Sequence, residues 1–348
     1  MIEPNNFHFI RFLAASLVIV GHVYPLNGRP DVIEQWSLGL FPSGHIAVCI
    51  FFVISGYCVL QSRLNSKSTY TYIMKRALRI FPGLFVALLF TAFVIGPLAT
   101  SYSLSDYFSA GQTYRYFDNM KLYPNTHGTL PGVFVQNTHN AANGSLWTLA
   151  YEFTMYIFVI VAVFLFRNRW RWLLIGFVAF FVFYCALFEV IQGDRIIPLI
   201  RLNLFHLIDF GIYFVLGMLF YLYQDQIGLY WWGAVAAFAA WMIMYLIADA
   251  GYLPLSAIMW IRYFSISYLV MYFAFIKGPL NRFGDRGDYS YGIYIYAYPI
   301  QQIIISFFSK EMPSYQQVLL AFVIVLPLAW FSWNYVEKPA LKYKSYFR

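Results

Sequence analysis

HFIRFLAASLVIVGHVYPLN, residues 8–27, is twenty residues long and carries one full charge, Arg11, with an imidazole, His22, eleven positions later. An α-helix needs roughly 20 apolar residues to cross the hydrocarbon core of a bilayer, and this stretch meets that length. It is not a cleaved signal peptide, because Met1 to Asn6 hold no basic residue and Arg11 interrupts the apolar run. Read outward from it, the chain predicts ten spans: 8–27, 44–62, 80–100, 145–166, 172–192, 203–222, 229–248, 255–276, 290–309 and 316–336. Composition agrees: of 348 residues 61% are apolar and only 11% are charged, against about 25% charged in a soluble domain. A soluble enzyme, a disordered tail and a secreted disulfide scaffold are excluded. The expected fold is all-α, a polytopic membrane helix bundle. Ten spans use most of the chain, so residues 1–348 read as a single transmembrane domain with no appended soluble domain.

The net charge of +8 reads as the lysine and arginine excess of cytoplasmic loops rather than as a nucleic-acid surface. With the N-terminus inside, the inner segments hold 15 basic residues (Arg63, Lys67, Lys75, Arg76, Arg79, Arg167, Arg169, Arg171, Lys277, Arg282, Arg286, Lys338, Lys342, Lys344 and Arg348). The outer segments hold 7: Arg29, Arg115, Lys121, Arg195, Arg201, Arg262 and Lys310. Both termini are therefore expected in the cytoplasm. The longest loop, about 101–142, then faces outward with Asn125, His127, Asn137, His139 and Asn140, which suits a polar substrate. Cys49, Cys58 and Cys185 lie in apolar segments and read as small core residues; no metal-spaced cluster is expected.

Ionisable side chains at membrane depth are costly and point to function. Arg11 and His22 stand three turns apart on one face of their helix, about 16 Å along the axis, with Ala14, Ala15 and Val18 between them. Arg11 alone is also consistent with snorkelling to lipid phosphate, and His22 with a hydrogen bond between helices. Arg76 and Arg79 share a helix face at the membrane level of Arg11. Three guanidiniums at one level make an anion clamp, although a generic inner basic cluster explains them equally. Asn143-Gly144 signals a turn and Ser145 an N-cap, so a helix starts there and carries Glu152 two turns below the outer face. Glu152 is then level with His22, an arrangement that allows a carboxylate to orient a base. Asp209 competes for that role, or pairs with His206 one turn away. Ser55-Gly56 reads chiefly as close helix packing, and Tyr291 and Tyr294 as packing or belt residues.

Five ordered motifs resemble the integral-membrane acyltransferase-3 family of bacterial surface-glycan O-acyltransferases. They are Phe9-Ile10-Arg11 through His22; Gly44-His45 with Phe51-Phe52-Val53-Ile54-Ser55-Gly56-Tyr57; Lys75-Arg76-Ala77-Leu78-Arg79-Ile80-Phe81-Pro82; Ser145-Leu146-Trp147 through Glu152; and Ser290-Tyr291-Gly292 with Val336-Glu337-Lys338-Pro339. Many relatives carry a histidine shortly after the Ser-Tyr motif, where this chain has Ala297-Tyr298, and that concentrates the burden on His22. Some relatives add a C-terminal hydrolase-like domain, which is not expected here.

The resemblance implies an O-acyltransferase of the bacterial inner membrane. Its donor would be acyl-CoA, most often acetyl-CoA, bound at the cytoplasmic face by Arg11, Arg76 and Arg79. Its acceptor would be a hydroxyl of a cell-surface or lipid-linked glycan, such as the O-antigen of lipopolysaccharide. The pantetheine arm would thread along the Ala14–Val18 face. His22 would act as general base, with Glu152 or another carboxylate orienting it. A transporter or flippase of a lipid-linked or small acidic substrate is the competing expectation, opposed by the absence of an inverted repeat or of paired Gly/Pro-broken spans.

Overall fold

Ten long helices follow one another along the chain: α1 (Phe7–Leu26), α2 (Ser43–Leu64), α3 (Thr69–Phe90), α4 (Trp147–Phe166), α5 (Trp170–Ala186), α6 (Leu204–Leu222), α7 (Trp231–Asp249), α8 (Leu255–Phe275), α9 (Ser290–Phe308) and α10 (Ser314–Ser332). The computed structural model describes residues 5–37, 39, 41–123, 128–167, 169–191, 193, 195–308 and 312–347; Asn125, His127, Lys310 and Arg348 lie outside these described residues. Each expected span overlaps one of these helices; the largest difference is at α3, which starts eleven residues before the expected 80–100 and so takes Lys75, Arg76 and Arg79 into the helix. Among the described residues, eight helical stretches are long and apolar enough to cross a membrane. The other two are α5, at 17 residues, and α9, whose four tyrosines and two glutamines dilute its apolar character. Pairing between extended segments is confined, among the described residues, to two isolated bridges, Thr100 with Val133 and Ile196 with Asn203. The chain forms an all-α polytopic membrane bundle.

The helices divide between two compact units. One takes the chain up to Arg11, Val48–Tyr72 and Tyr151–Asp285; the other takes Phe12–Ala47, Ile73–Ala150 and the chain from Arg286.

In the first unit, α2 and α6 meet backbone to backbone. A Cβ placed on Gly56 would fall on the carbonyl oxygen of Phe214, and one placed on Gly217 would fall on that of Val53. The contact is reciprocal and leaves no room for a side chain on either helix, the close approach that glycine permits within membranes. The C-terminal end of α8 is closed by Asn6, whose amide donates to the carbonyls of Phe273 (2.8 Å) and Ile276 (2.9 Å). Carbonyls of a last helical turn lack intrahelical partners, and Asn6 supplies one.

In the second unit, α3 continues through a π-turn, Thr91–Ile95, into the short helix Gly96–Ala99. Pro97 explains the turn: it has no N–H to donate one turn back. The Gly96 N–H bonds Thr91 O instead, leaving the Ala92 carbonyl without its usual partner. The Tyr107 hydroxyl, from the helix Leu104–Ser109, donates to that carbonyl at 2.7 Å. Gly96 is glycine because a Cβ would collide with this hydroxyl. Burial pushes the Tyr107 phenol up to about 12, so it keeps its proton across the physiological range.

Tyr107→Phe leaves the buried Ala92 carbonyl unsatisfied, which costs about 1–3 kcal/mol. The variant is expected to melt at lower temperature than the parent in detergent, by an amount that does not change between pH 6 and pH 9. An unaltered melting temperature would show that the carbonyl needs no cap.

Candidate active site

His22 lies in the second unit, in the last two turns of α1. One turn earlier, the Ile19 carbonyl accepts a hydrogen bond from Gln301 Nε2 at 2.6 Å. This bond sets α1 and α9 in register, and Tyr298, one turn before Gln301, meets the His22 imidazole edge to face: the centroids are 5.3 Å apart and the rings inclined at 80°. Among the described residues, His22 Nδ1 is buried with no hydrogen-bond partner.

The end of the loop 101–142 runs along α9. Asn137 Nδ2 donates to the Gln302 side chain at 2.9 Å. The Gln302 amide in turn donates to the carbonyls of His139 (2.6 Å) and Ala141 (2.9 Å). Asn143 Nδ2 reaches the Ile295 carbonyl at 2.8 Å. Gly144 sits on the Tyr298 ring, where a Cβ would overlap the phenol. The helix that follows starts at Trp147, later than the expected start at Ser145. Asn143 Oδ1 accepts the Ser145 N–H at 3.1 Å in the turn before it, and among the described residues Ser145 Oγ is buried without a partner; Asn side chains favour such turns. Asn137 thus holds the loop to α9, whereas His139 and Asn140 are exposed.

A second cluster gathers near the start of α3. Arg79 forms ion pairs with Asp288 (2.7 Å) and Glu337 (3.4 Å), carboxylates that are only 4% and 2% exposed. Asp288 also accepts from the N–H and hydroxyl of Ser290, at the first turn of α9. Glu337 accepts from Ser332 Oγ at 2.9 Å, in the π-turn that ends α10. Tyr291 places its ring 5.7 Å from the Arg79 guanidinium and donates to the Ile80 carbonyl at 2.8 Å. Two of the five quoted sequence motifs, the third and the fifth, therefore meet at one guanidinium. Arg79 was expected to bind donor phosphate; its fork is already held by two carboxylates. Arg76, one turn away on the same helix, sits among basic neighbours, with Lys344 of the tail in electrostatic reach of Lys75, Arg76 and Arg79.

Arg11 and Glu152 belong to the first unit. Arg11 Nη2 donates to Cys58 Sγ at 3.5 Å. Glu152 Oε1 accepts from Ser55 Oγ at 3.3 Å and from the Tyr156 hydroxyl, so Ser55 gives a polar contact while its neighbour Gly56 gives packing. Asp209 accepts from the Tyr263 hydroxyl at 2.6 Å and lies 4.0 Å from the Arg262 guanidinium. The His206 ring stacks on Phe210. Arg262, counted with the outer segments from sequence, is inside α8. Its position seven residues beyond the start of the apolar stretch was the available signal.

Arg79→Ala strands two buried carboxylates, and removing one partner of a buried pair costs about 3–5 kcal/mol. Much reduced yield and melting temperature are expected, with partial recovery in the triple variant that adds Asp288→Asn and Glu337→Gln. Arg79→Ala with parental stability would return Arg79 to the pool of free phosphate ligands.

Comparison with known proteins supports the reading of the motifs. Residues 5–334 match a family described as an acyltransferase domain. An O-acetyl transferase of Shigella phage Sf6 is 33% identical over 99% of this chain and 98% of its own length. Nodulation protein 10 of Rhizobium leguminosarum bv. viciae is 27% identical over 98% of this chain and 94% of its own. No solved structure matches the chain.

Proposed function

The chain belongs to the acyltransferase family, is a multi-pass membrane enzyme of that class, and from this premise we propose that it is an O-acetyltransferase. The donor is acetyl-CoA, presented from the cytoplasm, and the acceptor is a hydroxyl of a lipid-linked or surface glycan such as O-antigen. The enzyme sits in the bacterial inner membrane as a single domain with both termini in the cytoplasm. The observation that carries the reading is His22, a histidine inside an apolar helix whose Nδ1 is buried without a protein partner.

The chemistry needs a base and a route for charge. His22 takes the proton of the acceptor hydroxyl as its oxygen attacks the thioester carbonyl. The tetrahedral intermediate collapses with loss of the CoA thiolate, and the imidazolium returns the proton to sulfur. Arg76, with Lys75 and Lys344 close by, neutralises the donor phosphates, since guanidinium binds phosphate bidentately. Arg79 holds the ends of α9 and α10 around that basic group. Arg11 and Glu152 remain sequence-based candidates, for a phosphate ligand and for a functional carboxylate. The 33%-identical phage relative, printed as an O-acetyl transferase, supports acetyl as the group moved.

The test is release of CoA by purified protein in liposomes supplied with acetyl-CoA and a panel of surface glycans. Acceptor-dependent release is expected in the parent, falling roughly 10²–10⁴-fold in His22→Ala, the range of a lost general base. Equal release by both would remove His22 from the chemistry. Acceptor-independent loss of thioester in both would mark a hydrolase.

A further inference from the structure

A base that moves a proton must be held in one orientation, and in hydrolase-type sites a hydrogen bond to the second ring nitrogen does this. His22 lacks that restraint: Nδ1 has no hydrogen-bond partner among the described residues. The imidazole does have one defined aromatic neighbour. Tyr298 meets it edge to face at 5.3 Å and 80°, a geometry that aromatic rings prefer.

Tyr298 is itself held from several sides. Gln301 Nε2, one turn along α9, is bonded to the Ile19 carbonyl, one turn before His22, so the two helices cannot slide past each other without breaking a buried bond. Gln301 is only 1% exposed. Gly144 also lies against the phenol, and a Cβ there would overlap ring carbons Cε2 and Cζ. Asn143, beside Gly144, is tied to Ile295, one turn before Tyr298. Leu26 and Ile305 complete the packing around the ring. The preceding residue, Ala297, is buried and has only a methyl group to offer.

We propose that Tyr298 is the positioning residue of the catalytic base: its ring, wedged between Gly144 and His22, fixes the imidazole plane that a hydrogen-bonded carboxylate fixes in other sites. The inference rests on His22 being the base, as argued above. It assigns the effect to the aromatic ring, and the phenolic hydroxyl takes no part. It also gives Gly144 a role, because only glycine leaves the ring its place.

The experiment compares parent, His22→Ala, Tyr298→Phe, Tyr298→Leu and Gly144→Ala in proteoliposomes. It measures kcat and KM for acetyl-CoA at saturating acceptor, with melting temperatures recorded beside them. Tyr298→Phe keeps the ring and is expected to keep kcat. Tyr298→Leu frees the imidazole, and a misplaced catalytic group costs on the order of 10²-fold in rate; the loss is expected in kcat with KM for acetyl-CoA unchanged. Gly144→Ala displaces the ring while retaining its chemistry, and a fall in kcat there repeats the test in a second variant if Tyr298→Leu does not fold. Parental kcat in Tyr298→Leu or in Gly144→Ala overturns the proposal, and so does a Tyr298→Phe variant as slow as the leucine one, since that outcome assigns the effect to the hydroxyl. His22→Ala separates the two readings. If it is inactive while Tyr298→Leu is unimpaired, only the positioning role fails; if His22→Ala is fully active, the assignment of the base fails first.

Discussion

Within a bilayer no water satisfies a polar group, so every donor, acceptor and charge at that depth must be met by the chain itself. This constraint shapes the details described above. The carbonyl released by the π-turn in α3 is met by Tyr107. The last turn of α8 is met by Asn6. Asp209 is met by Tyr263 and Arg262, and Arg79 by Asp288 and Glu337. Each solution recruits a partner distant in sequence, and together they pin helix ends that apolar packing alone would leave free to slide.

His22 Nδ1 is one of several buried polar atoms, Ser145 Oγ among them, that have no hydrogen-bond partner among the described residues, and such an atom carries a free-energy penalty. The surrounding bonds of Gln301, Asn143 and Gln302 run to backbone carbonyls, which makes a stiff frame around a histidine whose own nitrogen stays available. The frame is made from the part of α1 beyond Arg11, α9 and the loop before α4, all in the second unit. The same unit holds the basic residues that precede the apolar part of α3.

The helices were legible in the sequence because span length and apolar character are local properties, and all ten expected spans have their helix. The motif residues were legible too, since Arg11, His22, Arg76, Arg79 and Glu152 stand out as charge or imidazole in or beside apolar runs. Their partners were not. Arg79 meets Asp288 and Glu337 across 209 and 258 residues of chain, a juxtaposition no spacing rule encodes. The Tyr263 hydroxyl that donates to Asp209 stands 54 residues along the chain, beyond what helical spacing can point to. Asn143 forms the turn before α4 because its amide also reaches the Ile295 carbonyl of α9, a partner 152 residues away that no local pattern shows. Tyr298 was seen only as the neighbour of a missing histidine; its ring contact with His22 requires two helices in register.

The reciprocal glycines at 56 and 217 carry a consequence of another kind. Where two helices touch through backbone alone, the contact contains no rotatable bond, so no side-chain freedom is surrendered in forming it. A leucine-lined seam would have to immobilise each of its rotamers against lipid tails that are equally apolar, with little gained in return. The backbone seam between α2 and α6 avoids that loss, and its strength varies little with temperature-driven side-chain motion. It provides a hinge-free joint beside Glu152, the one acidic side chain on α4.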